Sequence, residues 1–435
     1  MYRALLGGLA TAWFCLSPAM AQEPPAAPTM LATEHHLFVL RGDVLYQFDV
    51  KTLKLRHQFT FPAGVAPGLP AAVAAARTEP PPPPPPPAAR SAEELGKSLT
   101  QALMWLAAHQ DEDGRFDSDG FMKHDDTGEP CDGPGNAVHD VGVTGLALLA
   151  FLADGSNLRA GPWKEQIQKA TKWLRSQQDD NGLFGTAASH DFIYDHSIAA
   201  FAMSEAYGLS KARTLKETAQ RGLDYLEAHR NPYAVWRYQP RDNDNDTSVT
   251  TWALAACMSG KSFDLNVSDH VSKLASVWYD QVTGEDGRAG YTKAGEPSSR
   301  KPGDHASRFP PALGEAMTAA ALVGRGFLGQ GIKDKPILKA SADRLLARLP
   351  VWSPDQIDPV YWFFGTMGMF QIGGEHWQQW SRALGMLVDH QRKDGNYAGS
   401  WDPVGVCDED GGRVFVTALN ALSLATLHRA SKLVR

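Results

Sequence analysis

Lys169-Ala-Thr-Lys-Trp173-Leu174-Arg-Ser-Gln-Gln178-Asp-Asp-Asn181-Gly182-Leu-Phe184 is the stretch whose reading decides the fold. An amphipathic segment carries Trp173 and Leu174 and runs through Gln178 into an Asp-Asn-Gly turn and Phe184. Asn and Gly both tolerate left-handed backbone, so Asn181-Gly182 predicts a sharp helix end.

The same spacing recurs along the chain. Gln101-Ala102, Trp105-Leu106, Gln110, Gly114 and Phe116 repeat it upstream, and Arg382-Ala383, Met386-Leu387, Gln391, Gly395 and Tyr397 repeat it near the end. Weaker copies read Arg221-Gly222, Tyr225-Leu226, Arg230, Ala234, Trp236 and then Trp278, Gln281, Gly287, Tyr291. Positions 110, 178, 230, 281 and 391 are separated by 68, 52, 51 and 110 residues. The last gap is two periods, so a copy without the marks is expected between them, at the helical run Lys339–Leu349. Six units of roughly fifty residues indicate a repeat architecture.

Each unit has two parts. The first is amphipathic, as in Leu95, Leu99, Ala102, Leu103 and Leu106, with charges on the opposite face; such a helix lies between core and solvent. The second is apolar nearly all round and predicts a buried helix. These second segments are 141–152, 195–208, 247–258, 316–327, 361–372 and 414–428. Six outer helices alternating with six inner ones predict an all-α fold, an (α/α)6 toroid of six helix pairs, over residues 91–435.

The rest of the chain reads differently. Residues 1–21 have the form of a signal peptide, with Arg3, the apolar run Ala4–Cys15 and Ala19-Met20-Ala21 before Gln22. An exported protein, periplasmic or extracellular, with no transmembrane segment in the mature chain is expected. Residues 22–61 contain His36–Leu40 and Val44–Phe48 around a Gly-Asp turn, a short β segment resembling part of a propeller blade. Residues 62–90 are an Ala/Pro-rich linker with eight consecutive prolines, Pro80–Pro87, an extended arm able to offer itself to a protein partner. The formal charge of −7 comes from 42 basic and 49 acidic residues and argues against a nucleic-acid partner.

The repeat resembles the QW motif of terpenoid cyclases of the squalene–hopene type and, more broadly, the squalene cyclase and protein prenyltransferase superfamily of α/α toroids. The resemblance spans residues 91–435 and rests on the copies at 101–116, 169–184 and 382–397. It implies a central cavity ringed by inner helices whose N-termini share one end. It also implies a class II cyclase, an isomerase acting without cofactor on an apolar isoprenoid or other apolar small molecule. The family's protonating Asp-x-Asp-Asp-Thr-Ala stretch corresponds here to Asn243-Asp244-Asn245-Asp246-Thr247-Ser248, followed by Trp252-Ala253-Leu254 at the family's distance. A carboxylic acid must deliver the proton to the alkene. Asn245 at the central position lacks one, which leaves Asp244 and Asp246 as candidates; Asp246 also reads as an ordinary helix N-cap.

Other candidates lie at the heads of the inner segments: His139 with Asp140, and Asp195 with His196, two acid–imidazole pairs suited to general acid–base work. Trp252, Tyr361, Trp362 and Phe364 are the aromatic candidates for lining the cavity. No metal site is expected: the Asp-x-Cys pair of prenyltransferases and the Gly-Cys-Gly-Glu-Gln thioester motif of complement-type toroids are both absent. Cys131 and Cys407 belong to the first and last repeats, neighbours in a closed ring, and are the expected disulfide in an oxidising compartment. Three functions fit this pattern: a cyclase-like enzyme or isoprenoid binder, a non-catalytic binding or assembly protein, and a polysaccharide lyase or hydrolase using paired carboxylates.

Overall fold

The structure is a computed structural model that describes residues 29–32, 36–41, 44–49, 52, 54–60, 88–298, 300–301 and 304–433. The expected signal peptide and most of the linker lie outside the described residues. The chain separates into two compact units, Met1–Pro84 and Pro85–Arg435.

The first unit is a four-stranded antiparallel meander of β1 (Thr29–Ala32), β2 (His36–Arg41), β3 (Val44–Asp49) and β4 (Leu55–Thr60), paired in that order. β2 and β3 pair with Phe38 opposite Gln47 and Leu40 opposite Leu45. The turn into β4 is set by Asp49, whose Oδ1 accepts from the Thr52 amide at 2.9 Å. Four strands, rather than a hairpin, thus make up the blade-like segment.

The second unit opens with a capping box. Ser91 Oγ accepts from the Glu94 amide and Glu94 Oε2 from the Ser91 amide, which starts α1 (Ala92–Ala108). The outer helices are α1, α3 (Lys164–Ser176), α5 (Arg213–His229), α7 (Asp269–Val282), α10 (Ile337–Leu346) and α12 (Gly374–Leu384). The inner helices are α2 (Asp140–Ala153), α4 (Phe192–Ser210), α6 (Thr247–Ser262), α9 (Ala316–Phe327), α11 (Pro359–Ile372) and α14 (Asp408–Leu433). Two short helices, α8 (Asp304–Arg308) and α13 (Leu387–His390), complete the unit, and Gly412 breaks α14 near its start with φ of 66°. Each inner helix packs on the next, and α14 returns to pack on both α1 and α2. The expected (α/α)6 toroid is therefore closed, and the unmarked fifth copy is α10. Leu95, Leu99, Ala102, Leu103 and Leu106 all face the core, each leucine stabilising the fold by about 1.5–3 kcal/mol.

The repeated glutamine ties neighbours together. Gln110 Nε2 donates to Gly114 O in its own turn and to Gln166 O on the next outer helix, at 3.1 and 3.0 Å. Gln178 does the same to Gly182 O and Thr218 O. Gln391 closes the ring, donating to Gly399 O and to Ser98 O on α1, both at 2.9 Å, while its own oxygen accepts from Ser98 Oγ. Gly399, with φ of 104°, presses its turn so close to α1 that an added Cβ would sit 2.4 Å from Gln101 O.

Three details of the repeat differ from expectation. α3 ends at Ser176, and the turn is organised by Asp179, whose Oδ1 accepts from the Asn181 and Leu183 amides; only Gly182 takes positive φ. In the last repeat the turn partner of Gln391 is Gly399 and not Gly395, because four residues around Asn396-Tyr397 are inserted. In the fourth repeat the bridge Thr283–Ala289 corresponds to Gln178–Phe184, so Thr283 and Ala289 replace Gln281 and Tyr291 as the equivalent positions.

Removing the Gln391 amide strands two buried carbonyls and a hydroxyl at the ring seam. Gln391→Ala is expected to destabilise the protein by about 2–4 kcal/mol, against about 1 kcal/mol for the more exposed Gln110→Ala. Equal urea-unfolding midpoints for the two variants would contradict a special role for the seam.

Candidate functional site

Two concave regions lie on the toroid, one at each end of the inner ring. The N-terminal mouth is polar. Asp140 Oδ1 accepts from the Ser118 amide at 2.9 Å and from its hydroxyl at 2.7 Å, and Arg115 Nη1 lies 3.2 Å from Oδ2. Burial raises the Asp140 carboxyl above its ordinary pKa, against the Ser118 bonds. His139 Nδ1 stands 3.0 Å from Asp195 Oδ2. Burial opposes its charged form, but the bond and charge of Asp195 outweigh this and raise its pKa. Burial likewise raises Asp195. Asp140 and Asp195 line one pocket of about 250 Å³ between α2 and α4, together with Arg115, Trp173 and Phe192.

His196 does not join this group. Its Nδ1 accepts from the Phe184 amide at 3.0 Å and its Nε2 meets Gly222 O at 3.1 Å, deep between α4 and α5. Burial pushes its pKa down to about 3, so the ring is neutral. Thr144, Thr250 and Thr318 take the same bond from Phe116, Trp236 and Ala289 in their own repeats. His196 is therefore the second repeat's version of a structural anchor, a correction to its reading as an acid–base group.

The Asp-Asn-Asp stretch also resolves into separate roles. Asp244 points to solvent with its side chain 69% exposed, 3.6 Å from Arg237. Asn245 Oδ1 braces the turn by accepting from the Val235 and Asn231 nitrogens. Asp246 is fully buried as the N-cap of α6, accepting from the Val249 amide at 2.8 Å and Ser248 Oγ at 2.9 Å. Burial, against these bonds, pushes its carboxyl up to about 6.

The other concavity is a cavity of about 840 Å³ on the ring axis, to which all six inner helices contribute. Its wall includes Leu149, Phe201, Met258, Phe363 and Leu422. Lys261 and Arg429 are its exposed cations. One acid enters this apolar wall: Glu205, whose Oε1 accepts from Ser259 Oγ at 2.6 Å and whose pKa burial raises. Of the four aromatic run residues only Phe363 reaches the cavity. Trp252 stacks beneath it with ring centroids 5.5 Å apart, and Phe364 packs on Trp252 at 4.9 Å. Tyr361 turns outward to donate to Arg348 O, and the fully buried Trp362 packs against Trp352. Trp252, Tyr361, Trp362 and Phe364 are thus supporting core, a correction imposed by the 100° step of the helix, which sends one of four consecutive side chains inward. Glu205 escaped the sequence reading; the signal was an acid in the middle of a buried inner helix, away from its N-terminus.

The expected disulfide is also corrected. Cys131 and Cys407 are free thiols in different surroundings. Cys131 sits by Asp125, its backbone amide donating to Asp125 Oδ2, whereas Cys407 is buried near Asp358 and Asp408.

Comparison with known proteins agrees on the fold. A family model described as the A-macroglobulin TED domain matches residues 92–265, the first three helix pairs. No curated protein matches. Cellobiose 2-epimerase from Bacillus thermoamylovorans is similar in structure, with a TM-score of 0.53, 12% identity and coverage of 77% of this chain and 98% of the other. The type II terpene cyclase MstE from Scytonema gives 0.51, 16%, 79% and 100%, and a GH76 α-mannanase from Bacteroides thetaiotaomicron gives 0.51, 9%, 78% and 96%. The α/α toroid is common to all of them, and their chemistries differ.

The buried Asp246 gives a pH prediction. Its folded pKa of about 6 exceeds its ordinary 3.8, so its stabilising contribution is full below about pH 4 and is lost as the pH rises through about 6. Asp246→Asn keeps a cap oxygen without the charge. It should gain stability on the wild type between about pH 4 and 7, by up to roughly 3 kcal/mol. Parallel stability–pH curves in urea denaturation would refute this.

Proposed function

We propose that the toroid binds an elongated apolar molecule carrying one polar group, of the isoprenoid class, in its axial cavity. The observation that carries this reading is Glu205, a carboxyl whose pKa burial raises, set beside Leu149, Phe201, Met258, Phe363 and Leu422 in the wall of a cavity of about 840 Å³. A largely apolar pocket with few convergent polar groups is the usual form of a small-molecule site. Glu205, held by the Ser259 hydroxyl, is a polar partner for a hydroxyl of the ligand, and its neutral form, which burial favours, is able to donate to a carbonyl or phosphate-ester oxygen. Arg429, whose Nη2 donates to Ala153 O, adds positive charge for an anionic head group, while Lys261 is paired with Asp269 at 2.6 Å. Export of the mature chain, read from residues 1–21, fits a carrier or enzyme meeting such a lipid outside the cytosol.

Cyclisation through the Asp244–Asp246 stretch is not part of this proposal. Asp244 faces solvent and Asp246 is used as a cap at the other end of α6 from Met258, roughly 18 Å away at 1.5 Å per residue. If the ligand is transformed, the acid in reach is Glu205. A second reading, hydrolysis or isomerisation of a sugar, draws on the N-terminal mouth, where Asp140 and Asp195 combine two carboxyls with the His139 imidazole, whose pKa Asp195 raises.

Incubation of the purified protein with isoprenoid alcohols and their phosphates, followed by mass spectrometry of bound and released species, separates these readings. Retention of the lipid should fall at least about tenfold in Glu205→Ala, the loss expected for one buried hydrogen bond to a charged or strongly polar group. Asp246→Asn should bind as the wild type does. A new product that disappears in Glu205→Gln would identify an enzyme. No retention by the wild type sinks the proposal, and turnover of an oligosaccharide abolished by Asp140→Asn or Asp195→Asn would put the sugar reading in its place.

A further inference from the structure

We propose that His109, Asp125 and Cys131 form a binding site for a divalent metal ion of the zinc class, which clasps the seam where the last helix pair meets the first. His109 caps the C-terminus of α1, and its Nδ1 lies 2.7 Å from Trp105 O. A carbonyl oxygen only accepts, so Nδ1 carries the hydrogen and Nε2 is the nitrogen left to bind a cation. Nε2 faces Asp125 Oδ1 at 3.0 Å. Cys131 closes the same loop, and one donor atom from each residue, including its Sγ, lies within 4.8 Å of the other two. Imidazole nitrogen, carboxylate oxygen and sulfur thus converge on one point, where a cation must sit among them: a proton shared with His109, or a metal ion.

Three features favour the metal. Zinc bonds of about 2.0–2.3 Å to N, O and S place tetrahedral ligand atoms roughly 3–4 Å apart, and His109 Nε2 and Asp125 Oδ1 already stand 3.0 Å apart with the sulfur within 4.8 Å of them. A histidine that ligates a metal characteristically donates its other ring hydrogen to a carbonyl or carboxylate, as His109 does to Trp105. The site is dry: the side chains of His109 and Asp125 are only 5% and 4% exposed, and Trp105 stacks on the His109 ring at 4.0 Å with Phe121 edge-on at 5.8 Å. On binding, the ion would take neutral His109, the Asp125 carboxylate and the Cys131 thiolate, the thiol proton passing to solvent. Three protein ligands leave a fourth position for water.

The site's place explains its use. The loop it would hold is bonded to the four-residue insertion of the last repeat: Asn396 Nδ2 donates to Asp126 O and Glu129 O at 3.2 and 3.0 Å, and Asn396 Oδ1 accepts from the Asp126 amide. Trp105 Nε1 donates to Asn396 O from α1. An ion at His109, Asp125 and Cys131 would therefore fix the first-repeat loop against which Asn396 of the last repeat is held. Separations of 16 residues between His109 and Asp125 and 6 between Asp125 and Cys131 match no short ligand motif.

The test uses the full-length mature protein, stripped with chelator and titrated with cobalt and then zinc. A thiolate-to-cobalt charge-transfer band is expected, displaced by zinc, absent in Cys131→Ser and His109→Gln, and retained in Cys257→Ser and Cys407→Ser. Zinc should also raise the thermal midpoint of the stripped wild type. Absence of the band in the wild type, or its survival in Cys131→Ser, overturns the proposal. Should the site variants fail to fold, X-ray absorption at the zinc edge of the wild type decides: one sulfur among nitrogen and oxygen neighbours supports the site, and a first shell without sulfur overturns it.

Discussion

The side-chain amide of the repeated glutamine is the interaction on which the toroid depends. Its nitrogen has two hydrogens, and it spends one on its own turn and one on the next outer helix. Buried backbone carbonyls at a turn need such partners, because each left unpaired costs about 1–3 kcal/mol. The bond is directional, so it sets the angle between successive pairs as well as holding them. Gln391 makes the same two bonds across the largest gap in the chain, to Ser98, and this converts a stack of helix pairs into a ring.

A closed ring of inner helices creates two unlike ends. At the N-termini, unpaired amides draw acids into caps, and Asp246 and Asp358 serve in this way. Asp140 and Asp195 depart from it, bonding instead to Ser118 and His139, which leaves them in a pocket with raised pKa values. Towards the C-termini the inner helices line an axial cavity, with Phe363 on its wall and Trp252 stacked on that ring. The carboxyl of Glu205 is the polar feature that makes this space more than a packing defect. Burial penalises its charge and Ser259 orients it, giving a hydrogen-bonding acid in a setting where water competes poorly.

The same scaffold explains why several sequence marks carry no chemistry. His196 stands where other repeats have threonine, and both residue types satisfy one backbone amide. Asn245 holds its turn through an acceptor oxygen to Val235 and an amide hydrogen to Asn243 O, a pairing that an ionised carboxylate cannot make. Selection for a stable turn is sufficient reason for asparagine there. Cys131 and Cys407, both near the seam by chain order, sit among different partners, with Asp125 and Asp358 respectively as their nearest charges.

The amino-acid sequence by itself determined the six helix pairs, their alternation of half-buried and wholly buried helices, and the ring. Helical periodicity writes burial into short windows, and the glutamine turns recur at a readable interval. Even the pair without marks, α10, was placed by the period alone. The direction of each side chain within a buried helix was decided only by the tertiary structure. An inner helix is apolar on every side, so its pattern does not say whether Phe363 or Trp362 meets the axis. The place of Glu205 on the axial cavity likewise depends on the curvature of the ring, and the meeting of His109, Asp125 and Cys131 on the path of the loop that joins them. Curvature sums small rotations over residues far apart in the chain, and no local pattern records that sum.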